Sequence, residues 1–302
     1  MSERNIPFLK MNGLGNDFVV WDAREAPVRL DAEAIRRIGD RETGIGFDQM
    51  ITVEKSPAGA DAFMRIHNRD GSEVDACGNA TRCIGRLLME ESGLAAATIE
   101  TNAGLLKAAA TGMARRVTVD MGEPRFAWHE IPLAEEFHDT RAIELQIGPI
   151  DAPILHTPSV VNVGNPHAVF WVRDLDAYDM SRIGPMLENH PMFPERANIS
   201  IAHVISDEEI EVRVWERGVG LTQACGTAAC AVGVAAARDR RTGRKVTVRL
   251  PGGPLLIEWR ESDNHILMTG DTEVEYEGVL DPDTLAFEKT APGDRPILEV
   301  VK

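Results

Sequence analysis

The chain carries one short motif twice, and this repeat constrains its fold more than any other feature. Residues 75–85 read DACGNATRCIG and residues 223–233 read QACGTAACAVG. Both contain Ala-Cys-Gly, which places Cys77 and Cys225 at equivalent positions, 148 residues apart. A length of 302 residues is enough for two domains of ordinary size. The repeat therefore predicts two halves of one design, with one thiol in each half.

Polar residues recur at nearly the same spacing as the two cysteines. Three further pairs lie 148 or 149 residues apart: Gly15-Asn16 with Gly164-Asn165, Gln49 with Asn198, and Asn68-Arg69 with Glu216-Arg217. The alternative is that glycine-rich turns look alike by chance, and it is strongest for the Gln49 and Asn198 pair. Four pairs in the same order favour duplication, so each half is expected to contribute a similar set of polar groups.

The composition limits the partners that the protein can have. Hydrophobic residues make up 43% of the chain and charged residues 26%, as is usual for soluble globular proteins. A net charge of −16 argues against nucleic acid or an anionic membrane, because binding to either requires a basic surface. The chain shows no secretory signal and no apolar stretch long enough to span a bilayer. We expect a cytoplasmic protein that binds a small molecule, without a nucleic-acid or membrane partner.

The four cysteines do not have the spacing of a metal site. Five residues separate Cys77 from Cys83, and four separate Cys225 from Cys230, whereas most zinc sites use Cys-x-x-Cys together with further Cys or His ligands. We therefore predict no metal, and thiols rather than disulfides in a reducing compartment. Cys83 and Cys230 stand in Ala-rich segments and are predicted to be small buried residues.

Each repeated cysteine is predicted to stand where a helix begins. Helical periodicity follows Cys77 as far as Gly93, and follows Gly226 to about Arg238. A helix N-terminus exposes unpaired N–H groups, lowers the pKa of a nearby thiol and can bind a carboxylate. Elsewhere, the less periodic segment 123–158 is expected to form in part a surface excursion, and residues 281–302 a tail or peripheral addition.

Two thiols that face one carbon can invert a stereocentre. One thiolate removes a proton, and the other thiol returns a proton to the opposite face. The sequence offers no evident lysine and phosphate cradle of a pyridoxal enzyme, and no Walker or dinucleotide glycine loop. We therefore expect no cofactor. The charge that develops on the carbon acid would be stabilised by N–H groups of the two helix ends.

Six segments carry a family resemblance: MNGLGNDFVV, GIGFDQM, RIHNRDGSEVDACGNATRC, VGNPHAV, FPERANI and WERGVGLTQACGTAACA. In order and spacing, from about Lys10 to Leu280, they closely resemble the motifs of diaminopimelate epimerases. The resemblance implies a PLP-independent homodimeric enzyme that interconverts LL- and meso-2,6-diaminopimelate, on the route to lysine and peptidoglycan precursors. It implies an α+β fold of two pseudo-symmetric domains, each a mixed, largely antiparallel, barrel-like β-sheet wrapped around a central helix. The first domain would comprise residues 1–121 plus 271–302, with a return strand near 274–280, and the second residues 122–270.

Carried over position by position, the resemblance also implies the site. Cys77 and Cys225 would be the base and acid pair. The other residues fall into three groups: backbone N–H groups of Gly78, Asn79, Gly226 and Thr227 for the reacting carboxylate; Asn68, Asn165, Asn198 and Arg217 for the distal end of the substrate; and Glu216 for an ammonium, with Asn16, Gln49 and His167 completing the polar lining. Arg217 suits a carboxylate because a guanidinium can bind it with two parallel hydrogen bonds.

Structural alternatives exist for the polar residues. Asn16 and Asn165 could merely occupy turns, His167 could be a buried histidine with satisfied hydrogen bonds, and Glu216-Arg217 could be an exposed ion pair.

Two other functions also fit the paired cysteines. One is a racemase of the same fold that acts on a smaller substrate such as proline. The other is a redox protein in which Cys77 and Cys225 form a disulfide. The Glu216-Arg217 pair, together with Asn165 and Asn198, favours a substrate with a second amino acid head group.

Overall fold

The protein is described here by a computed structural model, which covers residues 5–27 and 29–290. By internal contacts the chain divides into two compact units, Met1–Val119 with Gly270–Lys302, and Asp120–Thr269. The sequence predicts two domains with boundaries at 121 and 271. That these two units are those domains stays a prediction.

Strands dominate the described part of the chain. They are β1 Ile6–Asn12, β2 Asp17–Asp22, β3 Gln49–Glu54, β4 Ala62–Asn68, β5 Glu73–Val74, β6 Ala96–Thr101, β7 Gly104–Ala110, β8 Arg116–Asp120, β9 Gln146–Ile147, β10 Leu155–His156, β11 Ser159–Asn162, β12 Pro166–Trp171, β13 Asn198–Ser206, β14 Glu209–Glu216, β15 Gly220–Thr222, β16 Lys245–Leu250, β17 Gly253–Trp259, β18 Ile266–Asp271, β19 Glu273–Leu280 and β20 Phe287–Thr290. The helices are α1 Ala32–Gly39, α2 Gly78–Ser92, α3 Met180–Glu188 and α4 Gly226–Arg238. None of these helices is long and apolar enough to cross a membrane.

The sheet of the first unit mixes parallel and antiparallel pairs. Strand β2 runs parallel to β3, and β3 runs antiparallel to β4. Strand β4 then pairs antiparallel with β5 and parallel with β6, which continues antiparallel into β7. On its other side, β2 is antiparallel to β1, which also pairs with β19 from the end of the chain. The return strand near 274–280 is thus present.

The second unit repeats this pairing order. Strands β11 to β17 pair in the sequence and directions seen from β1 to β7, including the parallel pairs β12–β13 and β14–β16. The registers correspond as well. Phe18 lies opposite Gln49 in the first unit, and His167 lies opposite Asn198 in the second, 149 residues later in both strands. The duplication inferred from the cysteines therefore extends to the strand pairing.

One mostly buried helix packs against the sheet in each unit. Helix α4 reads GTAACAVGVAAAR and contacts β11, β12, β13, β14, β16 and β17. Its side chains are small and apolar around most of its circumference, as expected for a helix surrounded by strands. Helix α2 contacts β6 and β7. The prediction of an α+β fold built from mixed, largely antiparallel sheets is confirmed.

The segment 123–158 contributes more to the core than predicted. It is exposed over several stretches, which include His138, with its side chain 95% exposed, and Ile150, which retains 88% of its accessible surface. The apolar residues Ile131, Ile143 and Leu155 are buried in a cluster that includes Phe170 of β12. They enter the core from turns and two-residue strands, so their spacing has no regular period. The expectation that the segment forms in part a surface excursion agrees with its exposed stretches, whereas its buried apolar residues belong to the core.

The end of the described chain also differs from its prediction. Residues 287–290 form β20, which pairs antiparallel with β19. The ring of Phe287 lies 6.4 Å from that of Phe8 in β1, centre to centre. This stretch is part of the first unit's sheet and core rather than a peripheral tail. Residues 291–302, which share that expectation, lie outside the described residues.

Candidate active site

Both repeated cysteines occupy the residue immediately before a helix, as predicted. Cys77 (φ −147°, ψ 111°) precedes α2, and Cys225 (φ −133°, ψ 106°) precedes α4. The first helical hydrogen bonds run from Thr81 N to the Cys77 carbonyl and from Ala229 N to the Cys225 carbonyl. The N–H groups before these bonds have no partner within the helix. They include Gly78 and Asn79 in α2, and Gly226 and Thr227 in α4. Each thiol therefore stands beside a cluster of backbone donors at the positive end of a helix.

In the first unit, the amide of Asn16 faces the Cys77 thiol. The Asn16 Oδ1 atom lies 3.7 Å from Cys77 Sγ and accepts a 3.3 Å hydrogen bond from Asn79 Nδ2. Gly15, just before Asn16, has a φ of 87°, which a residue with a side chain rarely adopts. Gly164, before the equivalent Asn165, has a φ of 106°. The same glycine turn therefore precedes each asparagine.

A charged network behind Asn16 fixes which way its amide points. Asn16 Nδ2 donates to Asp48 at 3.1 Å, so its oxygen must face the thiol. Arg41 bridges Asp48 and Asp17, and Asp17 also contacts the buried Lys10. Burial alone would raise the pKa of Asp17, but the hydrogen bonds and charges of Arg41 and Lys10 hold it well below its usual range. Asp17 is thus ionised at neutral pH.

Gln49 and Asn68 form a second polar pair in the first unit. They lie opposite each other on β3 and β4, and Gln49 Nε2 donates to Asn68 Oδ1 at 3.2 Å. Asn68 Nδ2 donates in turn to Ser72. Among the described residues, the buried Oε1 of Gln49 and Oδ1 of Asn79 find no hydrogen-bond donor. Buried polar atoms of this kind are usually satisfied, so these two oxygens are exceptions that a hydrogen-bond donor from a ligand could satisfy.

In the second unit, Cys225 is a buried thiol beside a carboxylate. Burial raises its pKa well above the ordinary value, and the negative charge of Glu216 raises it further. Hydrogen bonds from Thr227 and from the Ala228 N–H oppose the shift, whereas a hydrogen bond to Glu216 adds to it. Glu216 Oε1 also accepts a 2.5 Å hydrogen bond from Thr222. Cys225 is therefore protonated at neutral pH in this structure.

A line of polar side chains connects Asn165 to Arg217. Asn165 Oδ1 lies 2.7 Å from Nε2 of His167, and Asn198 Oδ1 accepts a 2.9 Å hydrogen bond from the Arg217 N–H. Asn198 also donates to the carbonyl of Pro166. His167 is fully buried, and burial together with the charge of Arg217 lowers its pKa to about 3. The neutral ring therefore donates from Nε2 and holds the Asn165 amide, while a direct contact of His167 with substrate stays a prediction.

Within each unit, the structure thus brings most of the expected residues together. Cys77, Asn79 and Asn16 form one group in the first unit, beside the Gln49 and Asn68 pair. In the second unit, Glu216 joins Cys225 and Thr227, and Arg217 joins Asn198. The Arg217 guanidinium donates to the Glu195 carbonyl at 3.0 Å.

The other two cysteines are separate from this chemistry. Cys83 and Cys230 are fully buried, as predicted, and burial raises the pKa of Cys83 to about 12. In the described ranges, no group of three or more Cys, His, Asp or Glu side chains is arranged to hold a metal ion.

Two residues of these groups were not predicted from the sequence. Asp48 orients Asn16, and Thr222 donates to Glu216. Asp48 directly precedes Gln49 in the GIGFDQM segment, so its position was the available signal. For Thr222 the signal was the position of β15, which pairs antiparallel with β14 after the Arg217-Gly218 turn. Side chains alternate between the two faces of a strand, so Thr222, two residues after the partner of Glu216, lies on the same face as Glu216.

Comparison with known proteins agrees with the repeated motif. The family model described as Diaminopimelate epimerase matches residues 8–127 and 159–275. A diaminopimelate epimerase of Afipia carboxidovorans is 57% identical over 283 residues, covering 93% of this chain and 97% of the relative. One from Brucella anthropi is 56% identical over 294 residues, covering 96% of each chain.

Solved structures with far lower identity share the fold. A PhzF-family phenazine biosynthesis protein of Bacillus anthracis superposes with a TM-score of 0.61 at 20% identity, covering 91% of this chain and 99% of that one. A hydroxyproline epimerase of Agrobacterium vitis gives 0.60 at 16% identity, covering 93% and 94%. With the family match spanning both halves and both cysteine motifs, the chain belongs to the diaminopimelate epimerase family.

Proposed function

We propose that this protein interconverts LL- and meso-2,6-diaminopimelate without a cofactor, using Cys77 and Cys225 as the two proton-transfer groups. The observation that carries the proposal is the repeated arrangement of a thiol at a helix N-terminus, with matched polar residues in each half. Family membership supports the substrate, because relatives more than half identical over nearly the whole chain are named diaminopimelate epimerase.

The proposed reaction moves one proton off the α-carbon and another onto it. A thiolate takes the α-proton from one face, and the electron pair of the broken C–H bond is shared with the carboxylate. The second thiol then donates its proton to the opposite face, which leaves the two sulfurs with exchanged protonation states. Burial and the charge of Glu216 raise the pKa of Cys225, which supports its assignment as the thiol in the ligand-free state.

Backbone donors would stabilise the charge that develops on the carboxylate. We assign this task to the N–H groups of Gly78, Asn79, Gly226 and Thr227, which lie beside the thiols at the starts of α2 and α4. Preformed donors of this kind need no rearrangement as the charge grows. Because Glu216 lies within hydrogen-bonding reach of Cys225, we assign it to the ammonium group on the reacting carbon.

The distal head group would be held by a separate set of residues. Arg217 supplies a guanidinium for the second carboxylate, and its backbone is fixed by Asn198. The remaining assignments are Asn68, Asn165, Asn16, Gln49 and His167, of which His167 acts through Asn165 in the ligand-free state. A substrate with a single head group would leave this set unused.

The proposal extends to the protein's setting. A homodimer in the cytoplasm, acting in lysine biosynthesis, is the arrangement that the family resemblance supports. Sedimentation equilibrium tests the dimer directly, and a monomer at micromolar concentration would refute that part.

Isotope exchange tests the reaction. Incubation of LL-diaminopimelate with the reduced enzyme in deuterated water should yield the meso isomer with deuterium at one α-carbon. Cys77→Ala and Cys225→Ala should each abolish epimerisation, and Cys77→Ser and Cys225→Ser should retain the fold with activity reduced by orders of magnitude. Cys83→Ala removes a thiol that takes no part and should retain most activity. Full activity in either Ala variant of Cys77 or Cys225 would refute the two-base mechanism.

A further inference from the structure

A buried carboxylate lies behind the Glu216-Arg217 segment of the second unit. Glu188 is the last residue of α3 and is only 5% exposed. Its Oε2 accepts from the indole Nε1 of Trp215 at 2.7 Å, and its Oε1 accepts from the Gly218 N–H at 2.8 Å. A third hydrogen bond, of 3.1 Å, comes from Arg196. A buried carboxyl group with three donors of this quality is held in one position.

The first two donors flank Glu216 and Arg217 in sequence. Trp215 comes directly before this dipeptide and Gly218 directly after it, so one carboxylate fixes the chain on both sides. Helix α3 adds a steric constraint one turn earlier, where Gly184 packs against the Trp215 indole. A Cβ at Gly184 would lie 2.4 Å from the indole Cδ2, which means that the ring rests on the helix backbone. The dipeptide is therefore anchored to one face of α3.

This anchor determines where the Glu216 carboxylate lies. From its fixed backbone, the Glu216 side chain reaches Thr222 Oγ1 at 2.5 Å and the Cys225 thiol. The hydrogen bonds of Glu188 to Trp215 and Gly218 hold the backbone of residues 215–218, which carries Glu216 to Cys225.

A simpler interpretation is that Glu188 only completes an ion pair with Arg196. The exposure of the two partners argues against it, because the Arg196 side chain is 52% exposed and that of Glu188 is 7% exposed. A half-exposed ion pair contributes little, on the order of 0–1 kcal/mol, and does not offset the burial of a carboxylate. The two shorter hydrogen bonds go to the segment that carries Glu216.

We infer that Glu188 is a positioning residue, which clamps the backbone on both sides of Glu216 and Arg217 and so sets the placement of the Glu216 carboxylate against the Cys225 thiol. The consequence for substrate ammonium binding rests on the proposed function. The effect on the thiol does not, because it exists without substrate.

Site-resolved alkylation of Cys225 tests the inference without substrate. Glu188→Gln keeps the size of the side chain but turns an amide N–H towards either the indole or the Gly218 N–H, which breaks one arm of the clamp. Burial is the larger cause of the raised Cys225 pKa, and when Glu216 is released its charge adds less to that shift. The rate of iodoacetamide modification of Cys225, read by mass spectrometry against pH, should shift to lower pH by about one unit, or about tenfold in rate at a fixed pH.

A double-mutant comparison separates positioning from general destabilisation. Glu216→Gln alone should shift the profile in the same direction, and Glu188→Gln added to Glu216→Gln should shift it no further. Glu258→Gln, which changes a half-exposed partner of Lys245 elsewhere in the same unit, serves as the matched control and should leave the profile unchanged. Equal additional shifts in both backgrounds, or no shift in Glu188→Gln, would overturn the inference.

Two further measurements keep the outcome decisive. If Glu188→Gln does not fold, Trp215→Phe removes the indole donor, together with part of the ring that rests on α3, and should give a smaller shift in the same direction. An unchanged Trp215→Phe profile then overturns the inference.

With diaminopimelate as substrate, Glu188→Gln should lower kcat/KM about tenfold, but not in the Glu216→Gln background. If the wild-type enzyme shows no epimerisation, the proposed function fails while the alkylation result still decides the part played by Glu188.

Discussion

Acidification should destabilise this protein through one buried histidine. His167 is fully buried, and its pKa is lowered from 6.5 to about 3 by burial and by the charge of Arg217. Because the folded pKa lies below the unfolded one, the unfolded chain binds the extra proton in the window between them. The stability contributed by the neutral ring is complete above pH 6.5 and is lost as the pH falls towards 3.

The size of this loss follows from the two pKa values. Between pH 7.5 and pH 5, an unfolded pKa of 6.5 and a folded pKa of about 3 correspond to a loss of about 2 kcal/mol. A folded pKa one unit higher gives nearly the same loss, because pH 5 would still lie above it. The expected change at pH 5 is therefore insensitive to the exact depth of the shift.

Urea unfolding of the wild type and His167→Gln at both pH values measures this loss. Gln can still donate from its Nε2 to Asn165 but does not titrate. Other groups titrate in both proteins, so their contributions cancel in the comparison. Tryptophan fluorescence suits the purpose because Trp128, Trp171, Trp215 and Trp259 all lie in the second unit, with His167. On acidification, the wild type should lose about 2 kcal/mol more than the variant. Equal losses in the two proteins would refute the reasoning.

Two further predictions concern residues that support the site. Gly184→Ala should lower the free energy of unfolding by about 2–4 kcal/mol, because the new Cβ would lie 2.4 Å from the Trp215 indole. Urea denaturation measures this loss, and a loss below about 0.5 kcal/mol would contradict the prediction. Asp48→Ala should lower kcat/KM about tenfold, because it releases the Asn16 amide beside Cys77. Glu25→Gln, at an exposed position in the same unit, is the control and should leave steady-state kinetics unaltered. Equal kinetics in both variants would count against the orienting network.

Local sequence signals predicted the parts of this structure that depend on neighbouring residues. The starts of α2 and α4 could be predicted because a strand, a loop and a glycine precede a helical period in both halves. Their ends at Gly93 and near Arg238 followed from the same pattern. The turns before Asn16 and Asn165 were predictable because a glycine precedes each asparagine, and glycine readily adopts the positive φ values that both turns have.

Features that depend on distant contacts could not be predicted in this way. Ile131 and Ile143 are buried without regular spacing, because turns deliver them to the core one at a time. Strand β20 forms only because β19 offers it an edge. Glu188 has no sequence signal at all, since its partners Trp215 and Gly218 lie about thirty residues later and meet it only in the folded chain. The reactive groups can therefore be identified from one sequence more easily than the residues that hold them in place.

The pairing of β1 with β19 has a consequence for the order in which the chain folds during synthesis. At 5–20 residues per second, roughly 10 to 50 s separate the emergence of Asn12 from that of Glu273, and β1 has one unpaired edge throughout that time. All of the second unit is made in the interval, so it can fold while the first unit still lacks a strand. Phe8, fully buried in the finished protein, gains its contacts with Tyr276 and Phe287 only at the end. A ribosome that stalls before Glu273 therefore presents a complete second unit and, in the first unit, an open, aggregation-prone sheet edge.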